Sequence, residues 1–179
     1  MGTEITKKSI SSPYILDQDD PKIQKMRFGI ASVGHGGCGA VAIYNALVAL
    51  GERPDFPQVV AGCRKRLFGL LGMSRRAVMR FFSNAGYRVT LCRDRERFDA
   101  CIEQYDAVIL WHTWLGLPWL VGMHFFYVRR ENGCTLGYNQ YRARSGVNTA
   151  PYRNRQGLSK AMQGRNAVFS AAICIRKEK

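Results

Sequence analysis

Three residue types that together can run acyl chemistry stand at informative places in this chain: a thiol at Cys38, an imidazole at His124 and an amide at Asn139. Cys38 follows the glycine-rich run Gly34-His35-Gly36-Gly37 and precedes an apolar stretch from Gly39 to Leu50, which Gly51 closes. That stretch reads as a helix with Gly51 as its C′ stop. A thiol in the first turn of a helix sees free backbone N–H groups and the positive end of the macrodipole. Both favour the thiolate, which is the nucleophilic form. Glycine costs about 1 kcal/mol against alanine inside a helix, so Gly34, Gly36, Gly37 and Gly39 serve backbone freedom and close approach rather than helix stability. Taken alone, a lone cysteine is more readily a buried packing residue. The other two groups tilt the balance.

His124 lies at the start of an apolar segment, Met123 to Val128, that reads as a strand. Asn132-Gly133 is a two-residue hairpin signal, Cys134 to Tyr138 returns as the partner strand, and Asn139 comes immediately after it. Adjacent antiparallel strands therefore bring His124 and Asn139 to one end of a sheet. A thiol nucleophile needs an imidazole to take its proton, and the imidazole needs a third group to hold its tautomer. Cys38, His124 and Asn139 supply these roles. His35, between two glycines, is a loop residue or a donor near the thiol; His112, within an apolar strand, reads as structural. The loop from Thr113 to Gly122 leads into His124, and with Trp114, Trp119, Gly36 and Gly37 it supplies candidate walls for a substrate cleft. Cys63, Cys92, Cys101, Cys134 and Cys174 fall at apolar helix or strand positions and read as packing.

The elements that must position these groups follow from period and punctuation. Residues 1 to 25 are polar and turn-rich and read as a tail or strap over the rest. Arg27 to Ile30 is a short strand or an extended lead-in. The helix from Gly39 is followed by a second over 56 to 67, opened by Pro57, and a third over 75 to 84, capped by Ser74 and ended by Gly86. From Tyr87 the period changes to two, giving strands over 87 to 92, 106 to 112, 123 to 128, 134 to 138 and 167 to 175, with a short helix over 95 to 105. Residues 139 to 166 read as a long loop with one short helix near 158 to 163. Helices first and an antiparallel sheet afterwards make an α+β fold.

The chain has 179 residues, 46% of them hydrophobic and 11% aromatic, which fits one folded domain rather than a disordered chain. No stretch approaches the roughly 18 apolar residues of a membrane span, and the N-terminus lacks the apolar core of a secretory signal. The six cysteines show no CxxC pair, and the three histidines have no ligand spacing. Reduced thiols, no metal site, no cofactor and a cytoplasmic location are the resulting expectations. Net charge is +14, from 27 Lys and Arg against 13 acids. That favours anionic partners: an acidic peptide, an acidic membrane surface or, less favoured, nucleic acid.

Gly37-Cys38-Gly39-Ala40-Val41-Ala42 before an apolar helix, His124-Phe-Phe-Tyr-Val and Gly137-Tyr138-Asn139 together resemble the papain-like cysteine peptidase superfamily. Within it the pattern is most similar to the bacterial branch of double-glycine leader peptidases, which process bacteriocins. Phytochelatin synthase is similar around the nucleophile, where Cys-Gly leads into a helix containing Asn-Ala-Leu, here Asn45-Ala46-Leu47. The resemblance covers residues 28 to 51 and 106 to 141 best. It implies a papain-like domain over 26 to 179, with N-terminal helices packed on a C-terminal antiparallel sheet. It also implies Cys38 as nucleophile, His124 as base and acid, and Asn139 as orienting group; the leader peptidases usually carry Asp at that third place, and papain-like enzymes Asn. Ser32 occupies the position of the family's oxyanion-hole glutamine, which leaves Ser32 or His35 as candidate side-chain donors. The expected activity is a thiol hydrolase that cleaves a peptide or amide bond through a Cys38 thioester, on a peptide or protein substrate that is acidic or glycine-ended. The alternatives are acyl or peptidyl transfer on the same fold, or an inactive papain-like domain that binds a peptide or nucleic acid through its basic surface.

Overall fold

The apolar stretch after the glycines forms helix α2, Cys38–Ala49, and is buried along most of its length because it has no polar face to offer solvent. The computed structural model describes residues 13–115, 121–132, 134–140, 147–148 and 166–178. Ahead of α2 lie a small hairpin, β1 (Arg27–Phe28) with β2 (Ala31–Ser32), and a single-turn helix α1, Val33–Gly36. The expected glycine turn is thus one turn of helix abutting another, joined at Gly37.

Helix α3, Phe56–Gly62, is shorter than the expected 56 to 67, because the backbone turns extended at Cys63. Asp55 caps α3 by accepting from the Gln58 N–H at 3.2 Å. Helix α4, Arg75–Asn84, has the expected bounds, with the Ser74 hydroxyl accepting from Ala77 N–H at 3.1 Å. Helix α5, Phe98–Gln104, follows a 3-10 turn over Arg95–Arg97.

The strands β3 (Tyr87–Cys92), β4 (Ala107–Leu115), β5 (Val121–Glu131), β6 (Cys134–Tyr138), β7 (Val147–Asn148) and β8 (Asn166–Lys177) form one sheet in the order β3-β8-β4-β5-β6-β7. Every pairing is antiparallel, so the fold is α+β, as the order of elements predicts. β4 and β5 run further than expected and take in both ends of the anticipated 113 to 122 loop, since Leu115 still pairs with Val121. The helix expected near 158 to 163 lies outside the described residues.

Strand alternation divides the core in two. Ile109, Phe125, Tyr127, Ile173 and Ile175 pack with α2, α3 and α4, whereas Val108, Leu110, Phe126, Val128, Ala172 and Cys174 pack with Phe98 and Cys101 of α5. A strand covered on both faces carries apolar residues at every position, which explains the unbroken run in β4.

The N-terminal segment is stitched across this assembly. Ile15 donates its N–H to Asn45 Oδ1 and accepts from Asn45 Nδ2 through its carbonyl, both at 2.8 Å. Asn45 is fully buried inside α2, so its amide completes a two-bond clamp on the strap. Tyr14 stacks on Tyr127 at 5.6 Å and lies beside Tyr138 at 4.9 Å. An Asn45→Ala variant strands both main-chain groups of half-buried Ile15, which costs on the order of 1 kcal/mol. Urea unfolding should show that loss, with faster amide exchange at Ile15; unchanged exchange there would mean the clamp does not hold the strap.

Candidate active site

The first turn of α2 meets the sheet at the start of β5. Cys38 is buried, and the backbone N–H groups of Phe125, Gly39 and Cys38 itself bear on its thiol. These donors favour the thiolate, but burial outweighs them and pushes the thiol up to about 11. The helix-terminus argument from sequence therefore identifies the right local donors and misses the larger desolvation. Cys63 and Cys174 are likewise pushed up by burial, and Cys38, Cys63, Cys92, Cys101 and Cys174 are all thiols.

His124 is one residue from Phe125, hence beside the point where the thiol meets the strand. Its Nε2 lies 2.5 Å from the carbonyl oxygen of Asn139. A carbonyl only accepts, so Nε2 carries the proton and Nδ1 is the basic nitrogen of the neutral ring. By the alternation of β5, His124 shares a side of the sheet with Phe126 and with His112. Its ring lies 6.2 Å from Phe126 and 5.8 Å from His112, its direct partner in the β4–β5 register. Burial holds the imidazole down at about 4, against smaller opposing effects of the Asn139 carbonyl and the Asp17 carboxylate. His112 is held well below its ordinary value by burial, then by His124.

Asn139 fills the expected place but in another way. Its backbone is left-handed, with φ 63°, just beyond the end of β6, which turns the carbonyl toward His124. The side-chain amide, expected to orient the imidazole, is engaged elsewhere. Its Oδ1 accepts from Gln18 N–H at 2.8 Å, and its Nδ2 donates to Gln18 Oε1 at 3.2 Å. Gln18 Nε2 in turn donates to the Gly34 carbonyl at 2.8 Å, and Asn139 N–H to the Leu16 carbonyl at 3.0 Å. The strap thus bridges the α1 turn and the end of β6.

Beneath this bridge lies a recess of about 310 Å³ lined by Asp17, Gln18, Asp19, Gly34, His35, His124, Asn139 and Gln140. Cys38 is not part of its lining. His35 is exposed at its edge. Ser32 is half-buried in β2, paired with Arg27, and is not among the lining residues. Gly36 and Gly37, expected as cleft walls, are packing positions. A Cβ on Gly36 would meet the Gly69 carbonyl at 2.6 Å, and one on Gly37 the Val33 carbonyl at 2.6 Å. The Trp114 side chain and Trp119 lie outside the described residues. Among the described residues no group of His, Cys, Asp or Glu is arranged to hold a metal ion, and no helix is long and apolar enough to cross a membrane.

Sequence reasoning missed Asp17, Gln18, Asn45 and Gln140. Asn45 was visible only within the Asn-Ala-Leu triplet, and no spacing connects the strap to a strand end so far along the chain. Comparison with protein-family models and with curated proteins finds no match to either.

Proposed function

We propose that the protein is a thiol hydrolase, a papain-like cysteine peptidase in which Cys38 cleaves a peptide or amide bond. The observation that carries this reading is what meets at the start of β5: a helix-terminal thiol beside the Phe125 main chain and, one residue earlier in the strand, an imidazole whose tautomer the Asn139 carbonyl holds. Cys38 and His124 both rest neutral, so the proton passes during attack rather than beforehand. The thiol proton goes to His124 Nδ1 as sulfur bonds to the substrate carbonyl carbon. The imidazolium then gives that proton to the leaving amine as the C–N bond breaks, leaving a thioester. Water, deprotonated by His124, cleaves the thioester and restores the thiol. With Ser32 outside the recess, His35 at its edge and the main-chain N–H groups at the start of α2 are the donors left for the oxyanion. The net charge of +14 favours an acidic peptide. An amine in place of water as acceptor would make the same site a transferase.

Burial of both groups and the Gln18 bonds to the Asn139 amide favour a second reading, an inactive domain that binds a peptide. A peptidyl acyloxymethyl ketone, a substrate-like electrophile, separates the two, with the labelled site read by mass spectrometry. The hydrolase reading expects labelling at Cys38 in the parent and not in His124→Ala, while iodoacetamide reacts first at half-buried Cys92. Equal or absent Cys38 labelling in both proteins would sink it. Release of free acid or of an amine adduct, when an amine is added to a cleaved ester substrate, separates hydrolysis from transfer.

A further inference from the structure

The large hydrophobic side chains exposed among the described residues are Leu16, Ile30, Leu67, Phe68, Leu70 and Leu71. Ile30, Leu67 and Phe68 form one patch, and Leu70 and Leu71 follow in the same loop. Phe68 is 76% exposed, Ile30 65% and Leu67 61%, against a globular fold that buries such residues elsewhere. The patch is built, not frayed. Ile30 N–H donates to the Phe68 carbonyl at 2.8 Å, and Gly69 and Leu70 N–H groups bond back to Arg66 and Leu67. The two loops interlock at glycines: a Cβ on Gly29 would collide with the Phe68 carbonyl oxygen, and one on Gly69 with that of Phe28. Leu67 and Phe68 are held left-handed, with φ 42° and 53°, and their side chains flank a shallow recess with Ile30 and Lys65.

The segments that carry the patch have one sign of charge. Between Asp20 and Glu52 the only charged residues are Lys22, Lys25 and Arg27, all exposed. Between Asp55 and Asp94 there is no acidic residue but eight Lys or Arg, and Arg64 and Arg66, beside the patch in sequence, are exposed. Lys65 turns inward, its ammonium donating to the carbonyls of Val60 and Cys63 at 2.7 and 3.1 Å.

We propose that the loop pair of Ile30 and Leu67 to Leu71 docks the protein onto an anionic lipid bilayer. Apolar tips enter the interface, and the cations beside them face lipid headgroups. A bilayer supplies both continuous negative potential and apolar depth. A protein partner would have to match two segments that carry Lys22, Lys25, Arg27, Arg64 and Arg66 and no acid. The same loop lies against Gly36 of the α1 turn, beside Cys38, so docking would set the thiol close to the membrane surface whatever chemistry it performs.

The test is co-sedimentation of the full chain with vesicles of phosphatidylcholine alone or mixed with phosphatidylserine. It is repeated with a Leu67→Asn/Phe68→Asn variant, because asparagine tolerates the left-handed backbone at both positions. The expected result is at least about tenfold stronger binding to the phosphatidylserine vesicles, lost by at least about tenfold in the variant at an unchanged unfolding midpoint. Absence of binding to anionic vesicles overturns the proposal, and so does binding that the variant retains, which would be charge attraction alone. A parent that ignores vesicles but self-associates through Leu67 and Phe68 overturns it in favour of a protein occupant.

Discussion

Replacing His124 with alanine is expected to slow thioester formation at Cys38 by about 10²- to 10⁴-fold, the usual contribution of a positioned general base. The effect should be large because the thiol is pushed up to about 11 by burial. At neutral pH almost no thiolate is present, so nearly every attack must shed its proton to a base as the S–C bond forms. An Asn139→Gly variant makes the informative contrast. It keeps the carbonyl that receives His124 Nε2 and suits the left-handed backbone, while it removes the amide bonded to Gln18. Its rate should stay within the parent's order of magnitude. Acylation by an activated peptide ester, followed as the mass increment on Cys38, reads both variants. A loss in Asn139→Gly equal to that in His124→Ala would return the orienting role to the side chain.

Acid should destabilise the fold between about pH 6.5 and about pH 4, before most carboxylates are protonated. Burial depresses the His124 imidazole from 6.5 to about 4 in the folded state. Within that window the unfolded chain takes up a proton that the folded chain refuses, so stability rises with pH there and falls as pH drops. Above 6.5 neither state is protonated and no penalty applies; below 4 the penalty is complete. A tenfold difference in proton affinity between the two states corresponds to about 1.4 kcal/mol, which makes the full loss about 3 kcal/mol. His112 adds to it in the same direction, since its pKa is also depressed and charging one ring opposes charging its cross-strand partner. Urea midpoints near pH 7 and near pH 4.5 test this, and a His124→Gln variant should show a flatter dependence between them. A parent midpoint indifferent to pH over that range would mean that the two rings are solvated.

Local signals made much of the scaffold legible. Ser74 and Gly86 bracket α4, the change of period at Tyr87 marks β3, and Asn132-Gly133 sets the β5–β6 hairpin; each depends on residues within a turn or two of one another. The same locality placed Cys38 at the start of α2 and brought Asn139 to the neighbourhood of His124. It misjudged α3, where the chain leaves the helix at Cys63, and the ends of β4 and β5. There, cross-strand pairing from His112 to Leu115 carries the strands past polar and aromatic residues that read as loop.

What the sequence by itself determined is therefore the α+β order, the helix-terminal position of Cys38 and the strand address of His124, because hydrogen bonds near in sequence and apolar period encode them. Only the tertiary structure decided that the Asn139 carbonyl rather than its amide holds the imidazole, that Gln18 takes that amide, and that Gly36 and Gly37 are packing positions. It also set the burial that pushes the Cys38 thiol up and holds the His124 imidazole down. Those outcomes depend on how deeply a group is desolvated and on which distant backbone reaches it first, and both are set by packing between segments that share no local pattern.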